Sequence, residues 1–124
     1  MLVENKSSNS VFSLDNWVTQ VRKGLLELCI VTLLSEGEMY AYDLVKRLAD
    51  IKALVITEGT IYPLLARLRG AGLITSRLEE SSGGPARKYY VLTDEGRRTV
   101  ESMQSYWSGL SGDIGALVKK DAQL

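Results

Sequence analysis

The stretch from Thr57 to Gly96 constrains the fold more than any other part of the chain. It opens with TEGTIYPLLARLRGAGLI, in which Leu64, Leu65 and Leu68 recur at helical spacing and Gly72 stands where a helix would stop. A charged segment, SSGGP and PARKYYVL follow, and the Gly- and Pro-rich SSGGP is typical of a loop between two strands. The stretch therefore predicts a helix followed by a two-stranded wing.

Two further helices are predicted upstream. The first begins at Ser13 or Asp15, either of which can cap it, and stops at Gly37. Because it is apolar on more than one face, we expect one face to pack on the wing-bearing domain and another to meet a second copy of the chain. A supporting helix follows from about Tyr40 to Ala49. The apolar rows of the first helix are Trp17, Val21, Leu25, Leu28 and Thr32, and Leu26, Ile30, Leu33 and Leu34.

The wing strands are predicted at Leu73–Glu79 and Ala86–Leu92, and a long last helix begins at Thr93, whose hydroxyl can cap it. Apolar residues in that helix alternate three and four apart, and such a stripe needs a partner. A second copy of the chain is the economical one, so we expect a homodimer. The stripe consists of Val100, Met103, Trp107, Leu110, Ile114 and Leu117. The predicted dimerisation residues are Trp17, Val100, Leu110, Ile114 and Leu117.

The elements together predict an α+β fold in three parts. Residues 1–12 are polar and form a flexible N-terminal arm, residues 13–92 form a winged helix-turn-helix domain, and residues 93–124 form a C-terminal dimerisation helix. Three glycines, Gly109, Gly112 and Gly115, weaken the last helix, so that either its end frays or helices approach closely there.

Composition excludes most kinds of enzyme. The chain has no His and one Cys, so it lacks the residues for structural zinc, a Cys-His nucleophile or imidazole acid-base chemistry, and we expect no metal or cofactor. Cys29 lies in the apolar run LLELCIVTLL, which favours a buried thiol over a redox sensor. No apolar run is long enough to cross a bilayer, and MLVENKSSNS lacks the pattern of a secretory signal. We therefore expect a cytoplasmic protein that is not an enzyme.

The winged helix-turn-helix order predicts binding to double-stranded DNA, with the start of the third helix in the major groove and the base of the wing at phosphate or the minor groove. A half-buried structural role for Tyr62 and a solvated charged pair at Arg87 and Lys88 remain the alternatives. The net charge of zero means that binding would depend on a few positioned cations. The predicted DNA-binding residues are Tyr40, Lys46, Thr57, Gly59, Thr60, Tyr62, Arg67, Gly84, Arg87 and Lys88.

Three motifs, YAYDLVKRL, GTIYPLLARLRGAGLI and GGPARKYYVLTDEG, resemble the PadR family of bacterial transcriptional regulators. The resemblance covers about four-fifths of the chain and is nearest to small, multidrug-sensing members of the LmrR type, which have one C-terminal helix. The chain has Glu38 and Ala41 where that family usually has Pro and Gly. The resemblance implies a repressor that binds an inverted-repeat operator as a homodimer and responds to a small planar aromatic effector.

The effector site is predicted around Trp107. Small residues near it could leave a cavity at the dimer interface, lined by Trp107, Met103, Val21 and Leu28, while burial of Trp107 in the stripe is the alternative. One rival function is a winged-helix protein-interaction module without specific DNA binding, which the neutral charge favours. The salt dependence of DNA binding would separate the two.

Overall fold

The computed structural model describes residues 11–80 and 82–122. Over these residues the chain forms four α-helices, a 3₁₀ turn and a three-stranded antiparallel sheet, which confirms the predicted α+β winged helix-turn-helix fold. Residues 1–10 of the predicted arm lie outside the described residues. The elements are α1 (Leu14–Glu36), β1 (Met39–Tyr40), α2 (Ala41–Leu48), the 3₁₀ turn (Lys52–Leu54), α3 (Glu58–Gly70), β2 (Ile74–Glu79), β3 (Arg87–Leu92) and α4 (Asp94–Ala122).

Local capping chemistry fixes several element ends as the sequence predicts. Ser13 Oγ accepts from the Asn16 amide at 3.2 Å and caps α1. Gly72 has a φ of 82°, and its amide donates to the Arg69 carbonyl while the Leu73 amide donates to the Leu68 carbonyl, so α3 ends in a Schellman motif. Thr57 lies at the N-cap of α3 but makes no side-chain bond to the backbone there.

The sheet has the order β1-β3-β2, with β3 in the centre. The wing hairpin pairs Ile74 with Leu92 at one end and Glu79 with Arg87 at the other. β1 was not predicted from sequence, because a two-residue strand is too short to show alternation. Its pairing with β3 draws the start of α2 onto the base of the wing.

The core lies where α1, α2, α3 and the inner face of the sheet meet. Thr93 ties α4 to this core, because its hydroxyl donates to the Gly72 carbonyl at 2.7 Å and accepts from the Gly96 amide at 3.0 Å. Val100 is 3% exposed and belongs to the same core, so its prediction as a dimerisation residue is corrected: the apolar stripe of α4 begins inside the single chain. The main core residues are Ile30, Leu34, Leu44, Leu48, Ile61, Leu65 and Ile74.

Candidate nucleic-acid interface

The outward face of α3 carries short side chains. The helix buries Ile61, Leu65 and Leu68 against the core. At 100° per residue the opposite face is formed by four exposed residues, Gly59, Pro63, Ala66 and Gly70. A face without long side chains allows the helix backbone to approach the floor of a groove closely.

Polar and aromatic side chains flank this face at the start of α3. Tyr62 is 49% exposed although its neighbour Ile61 is fully buried, so Tyr62 points away from the core. Thr57 Oγ1 lies 3.0 Å from Thr60 Oγ1. Four predicted site residues, Thr57, Gly59, Thr60 and Tyr62, therefore lie together at the N-terminal end of α3.

The two arginines of α3 are engaged with other elements. Arg67 Nη1 lies 3.0 Å from Glu27 Oε2 on α1. Arg69 Nη1 donates to Ser76 Oγ on β2 at 3.2 Å. Arg67 was predicted among the DNA-binding residues, and the structure gives it a carboxylate partner within the chain.

The outer face of the sheet brings aromatic rings and cations together. Tyr40, Tyr89 and Arg77 form one cross-strand row, because Tyr40 pairs with Tyr89 and Tyr89 with Arg77. The rings of Tyr40 and Tyr89 meet edge to face at 5.5 Å between centroids. The Arg87 guanidinium lies 5.0 Å from the centre of the Tyr40 ring, and that of Arg77 lies 5.0 Å from the centre of the Tyr89 ring. The face of a tyrosine ring attracts a cation electrostatically.

The start of α2 extends this surface. The Tyr42 ring stacks on Tyr40 at 6.1 Å, and Lys46 Nζ lies 5.5 Å from the centre of the Tyr42 ring. We call Tyr40, Tyr42, Lys46, Arg87 and Tyr89 the tyrosine–cation cluster. Tyr40, Lys46 and Arg87 were predicted as separate DNA contacts. The structure places Arg87 on the Tyr40 ring and joins Lys46 to Tyr40 through Tyr42, and sequence reasoning missed both Tyr42 and Tyr89. Only the pairing of β1 with β3 brings Tyr40 to Tyr89 and Arg87, and the sequence carries no local signal for that pairing.

Arg77 differs from the other cations of the sheet. Its guanidinium is paired with both Glu38 and Glu79. The hydrogen bond to Glu38 and, to a smaller extent, the one to Glu79 raise the pKa of Arg77 above its ordinary value. Within the described residues, Arg87 and Lys46 have rings rather than carboxylates as partners. Arg87 and Lys46 are therefore the cations of this surface that form no ion pair with the described residues.

The remaining predicted wing residues are dispersed. Lys88 pairs with Leu78 and lies on the other face of β3 from Arg87, since successive side chains of a strand alternate. Gly84 is exposed in the wing loop. Arg87 and Lys88 therefore do not act as one charged pair.

An open cavity of about 410 Å³ lies between α1 and α4. Three of the four predicted ligand residues line it, whereas Val21 does not. A second open cavity, of about 490 Å³, lies at the same tryptophan and reaches Arg47 in the last turn of α2 and Asp50 just after that helix. The first cavity is lined by Gly24, Leu25, Leu28, Thr99, Ser102, Met103, Tyr106, Trp107 and Leu110.

The other predicted dimerisation residues lie on the surface of the single chain. Trp17 is 53% exposed, and Leu110, Ile114 and Leu117 become more exposed towards the end of α4, from 36% to 61%.

No group of three or more potential metal ligands is placed to share an ion in residues 11–80 and 82–122. No helix in that part of the chain is long and apolar enough to cross a membrane.

Comparisons with known proteins agree with this geometry. The profile of the transcriptional regulator PadR-like family matches residues 30–102, from the core of α1 to the third turn of α4. The chain belongs to the PadR-like family. This is a family of transcriptional regulators rather than of enzymes.

Solved structures of PadR-like proteins show the same fold. A PadR-like transcription factor from Bacteroides fragilis is 39% identical, with 83% of this chain and 99% of that chain covered and a TM-score of 0.69. A PadR-like transcriptional regulator from Bacillus cereus is 39% identical over 80% of this chain and 96% of its own, with a TM-score of 0.72. Bacillus subtilis PadR, solved in complex with operator DNA, is 28% identical over 64% of this chain and 46% of its own, with a TM-score of 0.58.

Proposed function

We propose that this PadR-like regulator binds operator DNA by inserting the N-terminal half of α3 into the major groove. The observation that carries the proposal is the short-side-chain face of α3, flanked by Thr60 and Tyr62. The hydroxyls of Thr57 and Thr60 would bond to phosphates or base edges, and Gly59 would allow close approach.

The tyrosine–cation cluster would hold the DNA backbone beside the groove. Arg87 and Lys46 keep their charge while the rings of Tyr40 and Tyr42 restrict their positions, so less side-chain freedom is lost on binding a phosphate. Lys88 and Gly84 would approach the backbone from the wing. Because the net charge is zero, we expect few phosphate contacts and a correspondingly shallow salt dependence.

The test is a titration of the purified protein against labelled DNA from upstream of its own gene, with unrelated DNA as the control, at several salt concentrations. We expect preferential binding to the upstream DNA that weakens with salt. Tyr62→Ala should weaken specific binding by about tenfold or more, because a base or phosphate contact is lost. Equal and weak binding of the wild type to both DNAs would favour a distant operator or a winged-helix interaction module.

A matched pair of lysines tests the cluster. Lys46→Gln should lower the slope of log K against log salt by about one for each subunit that binds. Lys119→Gln removes the same charge near the far end of α4, about 37 Å along the helix axis from Asp94, and should leave the slope unchanged. Equal effects of the two substitutions would mean that only overall charge matters.

The proposal includes a homodimer that reads an inverted repeat and represses transcription. The exposed apolar side chains of α1 and α4 support it, because two such faces can cover each other about a two-fold axis. Two recognition helices related by that axis would read half-sites about one DNA turn apart.

We further propose that a small planar aromatic effector binds beside Trp107, with Leu28 and Met103 as walls of the same cavity. A ligand there would shift α4 against α1 and so change the spacing of the two recognition helices. In a Trp17→Phe background, where Trp107 is the remaining tryptophan, an aromatic dye should quench fluorescence and release DNA. Trp107→Ala should abolish the release and leave the fold intact, whereas collapse to an unfolded monomer would make Trp107 structural.

A further inference from the structure

Two polar contacts join α1 to the segment that carries the recognition helix. Glu27 Oε2 lies 3.0 Å from Arg67 Nη1 on α3, and Arg22 Nε donates to the Ala53 carbonyl at 3.1 Å. The Glu27 side chain is 17% exposed and that of Arg67 is 71% exposed. Glu27 is therefore held among its neighbours, and the arginine extends from α3 to reach it.

The link before α3 is held in a conformation that costs energy. Val55 has a φ of 51°, and a β-branched residue rarely adopts the left-handed region. Arg22 binds the Ala53 carbonyl two residues before this point. The surrounding contacts must therefore maintain the link, and α1 supplies one contact before Val55 and one after it, at Arg67.

Helix α1 also forms one wall of the cavity beside Trp107 and has an exposed apolar face. Gly24, Leu25 and Leu28 line the cavity beside Trp107, between and next to the positions of Arg22 and Glu27. A displacement of α1 at that cavity therefore reaches α3 through side chains within one helical turn. We propose that Glu27 and Arg67 form a positioning pair that sets the orientation of α3, and that Arg67 acts through Glu27 rather than by binding phosphate. This inference rests on the proposed function.

Charge supports a positioning role over a phosphate contact. An arginine paired with a carboxylate at 3.0 Å carries a compensated charge and releases few counterions on binding DNA. Arg87 is the natural comparison, because its partner is the ring of Tyr40 and it forms no ion pair with the described residues. The two arginines should therefore contribute differently to the salt dependence.

The test is a double-mutant cycle in the full chain with the upstream DNA as probe. Glu27→Gln and Arg67→Gln should each weaken binding by about five- to tenfold, and the double variant should be no weaker than either single one. The slope of log K against log salt should stay at the wild-type value in all three. Arg87→Gln should lower it by about one per subunit.

Arg67→Lys keeps the charge but not the planar guanidinium, so positioning predicts weaker binding and a phosphate role predicts little change. The inference is overturned if Arg67→Gln lowers the salt slope as Arg87→Gln does, if Glu27→Gln strengthens binding, or if the two effects add.

Amide hydrogen exchange gives a readout that does not need DNA. Glu27→Gln and Arg67→Gln should each raise exchange in residues 58–70 by about fivefold and leave the strands unchanged. Unchanged exchange in α3 would overturn the positioning role even if DNA binding fell. If the wild type showed no salt-sensitive preference for DNA, the proposed function would fail, while faster exchange in both variants would still establish the pair.

Discussion

The winged part of the chain and the outer half of α4 differ in how far their apolar side chains are buried. In the winged part, Ile30, Leu44, Ile61 and Leu65 are at most 1% exposed. Beyond Trp107, the apolar residues of α4 are 36% exposed at Leu110 and about 60% exposed at Leu117 and Val118.

The contrast shows which part of the structure has its apolar side chains covered by the same chain. The winged part closes its own core with α1, α2, α3, the sheet and the first turns of α4 as far as Val100 and Met103. α4 then runs on to Ala122, beyond the elements that could cover it. The exposed part of its stripe and the outer face of α1 are therefore the surfaces that the proposed homodimer would bury.

The largest predicted effect comes from charging this outer surface. The double substitution Ile114→Glu and Leu117→Glu should convert the proposed dimer into a folded monomer, because two buried carboxylates per subunit would lack partners. Operator affinity should fall by at least about 100-fold, since each half-site would bind alone. Light scattering after size exclusion gives the mass, and titration of labelled DNA gives the affinity.

Leu78→Glu is the matched control. Leu78 is 68% exposed but lies on the wing, so this variant should keep the mass of the parent. A double variant that stays dimeric would show that the outer half of α4 is not the interface, and the comparison between the two regions would lose its explanation.

The next effect lies where α4 joins the winged part. A Cβ on Gly96 would overlap the Leu73 carbonyl oxygen and press on the Leu92 side chain. Because backbone has to move, Gly96→Ala should lower the free energy of unfolding by about 2–3 kcal/mol. Urea denaturation followed by circular dichroism measures the change, and a loss below about 0.5 kcal/mol would mean that the start of α4 is not fixed at Leu73.

The ends of the helices could be predicted from nearby residues, whereas strand pairing between distant residues could not. The bonds that end α3 at Gly72 and the bond by which Thr93 caps α4 at the Gly96 amide involve backbone within a few residues, so the sequence around them was sufficient. Successive side chains of a strand face opposite ways, so at most one of Tyr89 and Tyr90 can face the core, and Tyr90 is the buried one. β1 lies about fifty positions from its partner strand, and no periodicity marks it.

The candidate site divides in the same way. The position of Thr57, Gly59, Thr60 and Tyr62 at the start of α3 could be predicted, because helical spacing and the N-cap are local signals. The tyrosine–cation cluster and the Glu27–Arg67 pair could not, since each depends on side chains about forty or more positions apart. Val100 was assigned to the dimer because a helical stripe indicates that a partner exists, but not whether that partner lies in the same chain.

A smaller effect on stability would distinguish a frayed end of α4 from a close approach of two helices at its glycines. A Cβ on Gly112 meets nothing within 4 Å in the single chain, so Gly112→Ala should stabilise the helix by up to about 1 kcal/mol. The gain should appear as a higher midpoint of thermal unfolding at unchanged mass. A weaker dimer would instead indicate that two helices approach closely at Gly112.

The smallest effect concerns Cys29, which lies half-buried on α1 at the boundary between the two regions. Burial raises the pKa of the Cys29 thiol, so a smaller fraction is thiolate at pH 8 than in an unfolded chain. Iodoacetamide should therefore react several-fold more slowly with the folded protein than with the urea-unfolded protein. Because the folded pKa lies above the unfolded one, stability should be unaffected below the ordinary thiol pKa and should decline slightly as pH rises through it. Equal alkylation rates would show that α1 opens at Cys29 in solution. Cys29 would then lie outside the stably packed core.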